Sequence, residues 1–163
     1  MIPFFLASLL AFTPCPEPTQ QTIQIVANII QGESAPGLMG EDAATALAWT
    51  LRHRCQAEPT QPIQVAASSY YGWAEASPET LAIAAQVWLA DDEDDPIDGR
   101  TLAMSRTDIR GRFGCTDEQI PDLDALMYPS PVNPNYQLWI PRTSPANVCG
   151  PVATAIAGKE DAQ

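Results

Sequence analysis

The stretch that decides the fold is IVANIIQGESAPGLMGEDAATALAWTLRHR, residues 25–54. Around its start, apolar side chains recur at the i, i+3, i+4 and i+7 spacing of one face of an amphipathic helix. These side chains are Ile23, Val26, Ala27 and Ile30. Glycine at 32 and 37 and proline at 36 are residues that end helices. We therefore predict a first helix over residues 22–31, followed by a turn.

The second half of this stretch predicts a helix over residues 41–54. It opens with Glu41 and Asp42 and closes with basic residues, which is the order of charge that the helix dipole favours. His53, the only histidine of the chain, lies among those basic residues. Satisfying the last helix carbonyls explains this histidine more simply than catalysis does.

A third helix is predicted over residues 78–90, within SPETLAIAAQVWLA. Ser77 is a favourable N-cap residue, and Pro78 suits the first helical position. Trp49 and Trp88 lie on the apolar faces of the second and third helices, so both are expected in the core.

Shorter elements are predicted in the C-terminal half. RTLAMS could form one strand, while Ser105 with Asp108 and Thr116 with Gln119 have capping-box spacing, which predicts short helices. From Tyr128 onward, prolines interrupt the chain and no helical period remains. The predicted fold is mainly α, with a short strand or hairpin and a long irregular Pro-rich C-terminal wrap.

Length and charge narrow the class of protein. The 163 residues, of which 45% are apolar, suffice for one globular domain, which we assign to residues 21–163. Twenty acidic residues against 8 basic ones give a net charge of −12, which argues against nucleic acid and anionic lipid as partners. No stable membrane span is predicted, and a monomer is expected.

The N-terminal segment MIPFFLASLLAF is uncharged, mostly apolar and too short to cross a bilayer. Residues 1–20 are therefore interpreted as a secretory signal peptide or as an apolar segment that stays with the domain. No basic residue precedes the apolar run, and no clean cleavage site follows it. Export to the periplasm or the extracellular space is the expected location.

Four cysteines, Cys15, Cys55, Cys115 and Cys149, occur without a CxxC pair, which disfavours a zinc site. In an exported chain they predict two disulfides. Cys115–Cys149 would tie the C-terminal wrap to the body, and Cys15–Cys55 would tie down the N-terminus. Three pairings are open from sequence, and free buried thiols are the alternative.

No metal or cofactor site is predicted. The run Asp91–Asp95 lacks the glycine and the glutamate of an EF-hand calcium loop, so a solvated turn is expected there. The chain has no P-loop, GxSxG or HExxH motif.

Glu33 is the carboxylate that the predicted turn would present. At the C-terminus of a helix it would gain nothing from the dipole, and partial burial would further favour its protonated form. A carboxylic acid that stays protonated near neutral pH is what general-acid cleavage of a glycosidic bond requires. The alternative is a solvent-exposed glutamate at a frayed helix end.

Residues 22–110 resemble the cell-wall hydrolase family that includes the spore-cortex-lytic enzymes. The matching pieces are NIIQGES, APGLMGED, ATALAWTLRHR, YYGWAEASPETLAIAAQVWLA and DDPIDGRTLAMS, with His53 where asparagine is usual. The segments ES (residues 33–34) and GLM (residues 37–39) also resemble motifs of the lysozyme-like lytic transglycosylases. The resemblance implies a lysozyme-like fold, peptidoglycan glycan strands as substrate and Glu33 as the catalytic residue. A helix that ran unbroken through residues 32–37 would contradict this interpretation.

The resemblance also implies a mechanism with one glutamate. Protonated Glu33 donates to the leaving oxygen, and the 6-hydroxyl of the sugar then attacks to give a 1,6-anhydro end. Hydrolysis would need a second carboxylate, for which Glu41, Asp42 and Glu75 are candidates.

Aromatic residues are the other requirement, because sugar faces stack on rings. Tyr70, Tyr71 and Trp73 are predicted to line the cleft, with core packing as the alternative. The weaker candidates for substrate contact are Ser34, Tyr136 and Trp139.

A second class of function is a non-catalytic cell-surface or virion module on a lysozyme-like scaffold. The charge of −12 supports this class, because bacterial walls are themselves anionic. A phage product that stays in the cytoplasm until lysis would perform the same chemistry from a different location.

Overall fold

The computed structural model describes residues 17–68, 72–116, 119, 124–133 and 137–142. The described chain is mainly α, as predicted, and carries one small antiparallel sheet. Its helices are α1 Gln20–Met39, α2 Glu41–Ala57, α3 Ile63–Ala66, α4 Pro78–Leu89 and α5 Arg106–Phe113, with a 3₁₀ turn at Asp92–Asp94. Its strands are β1 Met104–Ser105, β2 Ala125–Pro129 and β3 Gln137–Pro141.

The predicted end of the first helix is wrong. Helix α1 continues through residues 32–37 and ends at Met39. The break comes at Gly40, whose φ of 84° lies in the left-handed region that glycine tolerates. Pro36 removes one helical hydrogen bond, because it has no N–H to donate to the carbonyl of Gly32. Gly32 itself serves a contact with another segment of the chain instead of ending the helix.

Helices α1, α2 and α4 pack against one another and enclose the main core. Trp49 and Trp88 are buried in it, as predicted. The start of α4 is also confirmed, since Pro78 is its first residue and the Ser77 hydroxyl accepts a hydrogen bond from the Thr80 N–H at 3.2 Å.

The C-terminus of α4 receives its positive charge from another helix. Helix α4 has no basic residue in its last turn. Arg52 of α2 donates to the carbonyls of Val87 at 2.7 Å and Ala90 at 2.8 Å, and it pairs with Asp92 at 2.9 Å. Its guanidinium also lies 4.7 Å from the ring centroid of Trp49. One arginine therefore joins α2 to the end of α4.

His53 does not close a helix, because α2 continues to Ala57. The imidazole is buried, with Nδ1 2.8 Å from the Arg100 carbonyl and Nε2 3.2 Å from the Asp95 carboxylate. Asp95 also accepts from the N–H groups of Ile97 and Gly99. This part of the acidic run is a structural turn fastened to α2. No cluster of side chains suited to a metal ion occurs in the part of the chain that the structure describes.

The sheet corrects part of the predicted irregular C-terminal wrap, because Gln137–Pro141 forms β3, while residues 143–163 of the wrap lie outside the described residues. Its strand order is β1-β3-β2, and Trp139 of β3 faces Met104 on one side and Met127 on the other. Two prolines stand at strand ends, Pro129 closing β2 and Pro141 closing β3, where their missing N–H costs little. Trp139 is buried in a second small core and is not available as a cleft residue.

Helix α5 confirms the first predicted capping box, with Ser105 and Asp108 bonding reciprocally. At the second site the Thr116 N–H donates to the Gln119 side chain at 2.9 Å, but most of the predicted helix lies outside the described residues.

Two of the four cysteines lie in the described chain, and both Cys55 and Cys115 form disulfides. Cys15 and Cys149 lie outside it, so the pairing Cys115–Cys149 stays a prediction. Within the described ranges, no helix combines the length and the apolar character that crossing a membrane requires.

Candidate functional site

The candidate site is built where residues 72–77, here named the strap, run along α1. Two residues of α1 hold the strap. Asn28 accepts the Ala74 N–H with its carbonyl and the Ala76 N–H with its side chain, both at 3.1 Å. Gln31 accepts the Ser77 N–H at 3.2 Å. Backbone donors of an irregular segment are thus satisfied by polar groups on one helix.

The strap contacts α1 at a point where both segments have a glycine. A Cβ atom on Gly32 would lie 2.2 Å from the Trp73 nitrogen, and one on Gly72 would lie 2.3 Å from the Gly32 carbonyl carbon. Real Cβ atoms do not approach other atoms this closely. The two glycines therefore permit direct contact between the backbones, and this contact explains why Gly32 lies inside the helix.

Glu33 lies next to this contact and is half-buried. Its Oε1 accepts a hydrogen bond from the Gly72 N–H. The next residue along the strap, Trp73, exposes 62% of its surface. The structure thus places the Glu33 carboxyl group against the backbone of the strap, one residue before an exposed tryptophan.

Glu33 was predicted to lie at the C-terminus of a helix, where the helix dipole would act on its carboxyl group, and this prediction is wrong. Glu33 precedes Met39, the last residue of α1, by six positions. The field of a helix terminus is felt within its last turn. Among the described residues, the group that contacts the Glu33 carboxyl is the Gly72 N–H of the strap and not a helix terminus.

Other predicted site residues cannot be assigned a place. Tyr70, Tyr71 and Tyr136 lie outside the described residues, as does the side chain of Ser34.

The candidates for a second carboxylate lie at two places. Glu75 is exposed on the strap. Glu41 and Asp42 are exposed at the start of α2, where they line a cavity of about 410 Å³ together with Tyr128. Burial, and next the charge of Asp42, raise the pKa of Tyr128. The phenol in this cavity is therefore held in its neutral form.

Asn28 and Gln31 are site residues that the sequence analysis missed. The signal for them was weak: two polar residues five and two positions before Glu33, next to the apolar stripe of α1. Their partners lie more than 40 positions away along the chain, at Ala76 and Ser77, so no local pattern reveals them.

Comparison with models of known protein families, with characterised proteins and with solved structures finds no match to this chain. The unbroken helix α1 is also the outcome named above as contradicting the resemblance of residues 22–110 to cell-wall hydrolases. The geometry around Glu33 has to be judged by its own chemistry.

Proposed function

We propose that this protein cleaves the β-1,4 glycan strand of peptidoglycan, with Glu33 acting as general acid and then as base. The observation that carries the proposal is the cluster of Glu33, the Gly72 N–H and the exposed Trp73. It supplies a carboxyl group bonded by a backbone N–H, and the next residue of the strap carries an exposed aromatic side chain on which a sugar ring can stack.

The Gly72 N–H suits the proton transfer that this reaction needs. When Glu33 gives its proton to the glycosidic oxygen, a negative charge develops on the carboxyl group. A hydrogen bond to a charged acceptor is stronger than one to a neutral acceptor. Relative to the protonated carboxyl from which the proposed reaction starts, the N–H therefore stabilises the transition state more than the ground state, and only such a difference accelerates the chemical step.

Formation of a 1,6-anhydro product is the version of the reaction that one carboxylate supports. Glu33 protonates the leaving oxygen as its bond to the sugar C1 breaks, and the electron pair of that bond stays with the oxygen. The 6-hydroxyl oxygen then bonds to C1 while its proton returns to Glu33. Hydrolysis would instead recruit Glu75, Glu41 or Asp42.

Two further observations bear on the proposal. Cys55 and Cys115 both form disulfides, which supports action outside the cytoplasm. Against this, the unbroken α1 departs from the Gly/Pro loop that the family resemblance implies after the glutamate. The structure therefore lends no support to a lysozyme-like scaffold, and the proposal rests on the Glu33 cluster rather than on the resemblance.

The deciding experiment is clearing of a purified wall suspension by wild type and Glu33→Gln. Glutamine can still accept the Gly72 N–H, so the strap stays anchored while the transferable proton is lost. Lysis should fall by on the order of two decades or more. Glu79→Gln, which changes an exposed carboxylate in the first turn of α4, is the matched control and should clear the suspension like wild type. Mass spectrometry of the released fragments distinguishes anhydro from hydrolysed ends.

The second candidate is a glycan-binding module without catalysis. The contact with Gly72 favours it, because the same hydrogen bond gives Glu33 a purely structural role. Trp73 is the exposed one of four tryptophans, so quenching of its fluorescence by iodide reports glycan stacking. Protection of Trp73 by glycan without any lysis by wild type would favour the module. Equal lysis by wild type and Glu33→Gln would remove Glu33 from the mechanism.

A further inference from the structure

We propose that Gly72 is a positioning residue for the reaction: its N–H fixes Oε1 of Glu33, so the transferred proton is carried by Oε2. This inference rests on the proposed function. It assigns separate roles to the two oxygens of the carboxyl group, one held by the strap and the other directed to substrate.

The assignment follows from hydrogen-bond chemistry. A backbone N–H only donates, so the oxygen that it contacts must accept. In a carboxylic acid the carbonyl oxygen is the better acceptor, and the hydroxyl oxygen carries the proton. With Oε1 accepting from Gly72, the proton is on Oε2. It passes from Oε2 to the glycosidic oxygen, and Oε2 later takes up the proton released by the attacking 6-hydroxyl.

The hydrogen bonds along the strap hold this contact in place. Gly72 is the first residue of the strap, whose later N–H groups are held by Asn28 and Gln31. A side chain at 72 would lie 2.3 Å from the Gly32 carbonyl carbon and 2.5 Å from the Glu33 nitrogen. Only glycine brings its N–H to Oε1 at this position, and the same contact sets the place of the adjacent Trp73.

The sharpest test removes the N–H without adding a side chain. Semisynthesis of the full chain with glycolic acid in place of Gly72 turns that amide into an ester. The matched control is lactic acid in place of Ala74, which deletes a strap N–H that bonds to the Asn28 carbonyl instead of to Glu33. Both changes remove one backbone donor from the same strap, so their losses of stability should be similar.

Kinetics on soluble glycan oligomers give the readout. The ester at 72 should lower kcat by about tenfold to a hundredfold, the range expected for one hydrogen bond to a charged group, with KM within about twofold. The ester at 74 should leave both constants near wild type. In a Glu33→Gln background the ester at 72 should cause no further loss, because the two changes disable one proton transfer.

The outcomes separate this inference from the proposed function. An unchanged kcat with the ester at 72, or a rise in KM alone, overturns the positioning role while Glu33→Gln still defines the acid. A fall in kcat equal to that of the ester at 74 shows that Gly72 only anchors the strap. Full activity of Glu33→Gln, or inactivity of wild type, rejects the proposed function and this inference with it.

Discussion

Gly32 and Gly111 offer a test of the strap contact by the same substitution at two helical positions. Each Gly→Ala change in a helix interior gains about 0.5–1 kcal/mol from backbone entropy. At Gly111, in α5, the new Cβ would meet nothing within 4 Å. Gly111→Ala should therefore raise the free energy of unfolding by about this amount. For a domain of this size the gain corresponds to an increase of about 1–4 °C in Tm.

At Gly32 the same gain is opposed by a collision. The new Cβ would lie 2.2 Å from the Trp73 nitrogen and 2.3 Å from the Gly72 carbonyl carbon, and both are backbone atoms. Ordinary contact requires about 3.4 Å, so strap and helix must separate by roughly 1 Å. Forcing extra volume into a packed site costs about 1–3 kcal/mol.

The difference between the two variants isolates the collision, because their helix propensities cancel. Gly32→Ala should be less stable than Gly111→Ala by about 1–3 kcal/mol, or about 2–12 °C in Tm. It should also lose wall lysis, since the Gly72 N–H moves away from Glu33. Thermal and urea unfolding of both variants measure the first effect, and wall clearing measures the second. Equal stabilisation by both alanines, with lysis intact, would show that the backbones do not touch.

Two further predictions concern parts of the molecule away from the strap. Arg52→Met should lower the free energy of unfolding by about 2–4 kcal/mol, because it removes two charged hydrogen bonds to α4 carbonyls. Asp92→Ala should change the free energy of unfolding by no more than about 0.5 kcal/mol, since that carboxylate is 77% exposed. If urea unfolding shows equal losses for Arg52→Met and Asp92→Ala, Arg52 does not cap α4. Burial, and next the charge of Asp42, raise the pKa of Tyr128 above that of an unfolded tyrosine. The contribution of Tyr128 to stability is therefore fully present below about pH 10 and is lost as pH rises through the pKa of the folded state. Tyr128→Phe should therefore show a shallower alkaline loss of stability than wild type, and identical slopes in urea titrations above about pH 10 would contradict this.

The elements that the sequence predicts well are those fixed by local chemistry. Helix α4 starts where Ser77 and Pro78 place it, and α5 starts at the Ser105 capping box. The buried positions of Trp49 and Trp88 follow from helical spacing alone. In each case the residues that decide the structure lie within one or two helical turns of each other, so a short stretch of sequence contains all of the information that the prediction needs.

The errors lie where distant segments decide the structure. Glycine is typical of helix ends, but Gly32 lies inside α1 because its neighbour in space is Gly72, forty positions later in the chain. His53 was expected to cap the C-terminus of α2, but it is buried and contacts the Arg100 carbonyl and the Asp95 carboxylate. In the same way, β2 and β3 were hidden because prolines at strand ends have the same local signature as prolines in loops.

The corrected position of Glu33 changes what its reactivity would depend on. If α1 ended at residue 31, the helix dipole would act on the carboxyl group whatever the rest of the chain did. Six residues before the end of α1 that field is absent, and among the described residues it is the Gly72 N–H of the strap that contacts the carboxyl. The strap is an irregular segment held by a few hydrogen bonds and one glycine–glycine contact. Such segments open at lower free energy than a packed helix. Any catalysis by Glu33 should therefore fail at strap opening, before the helical core unfolds.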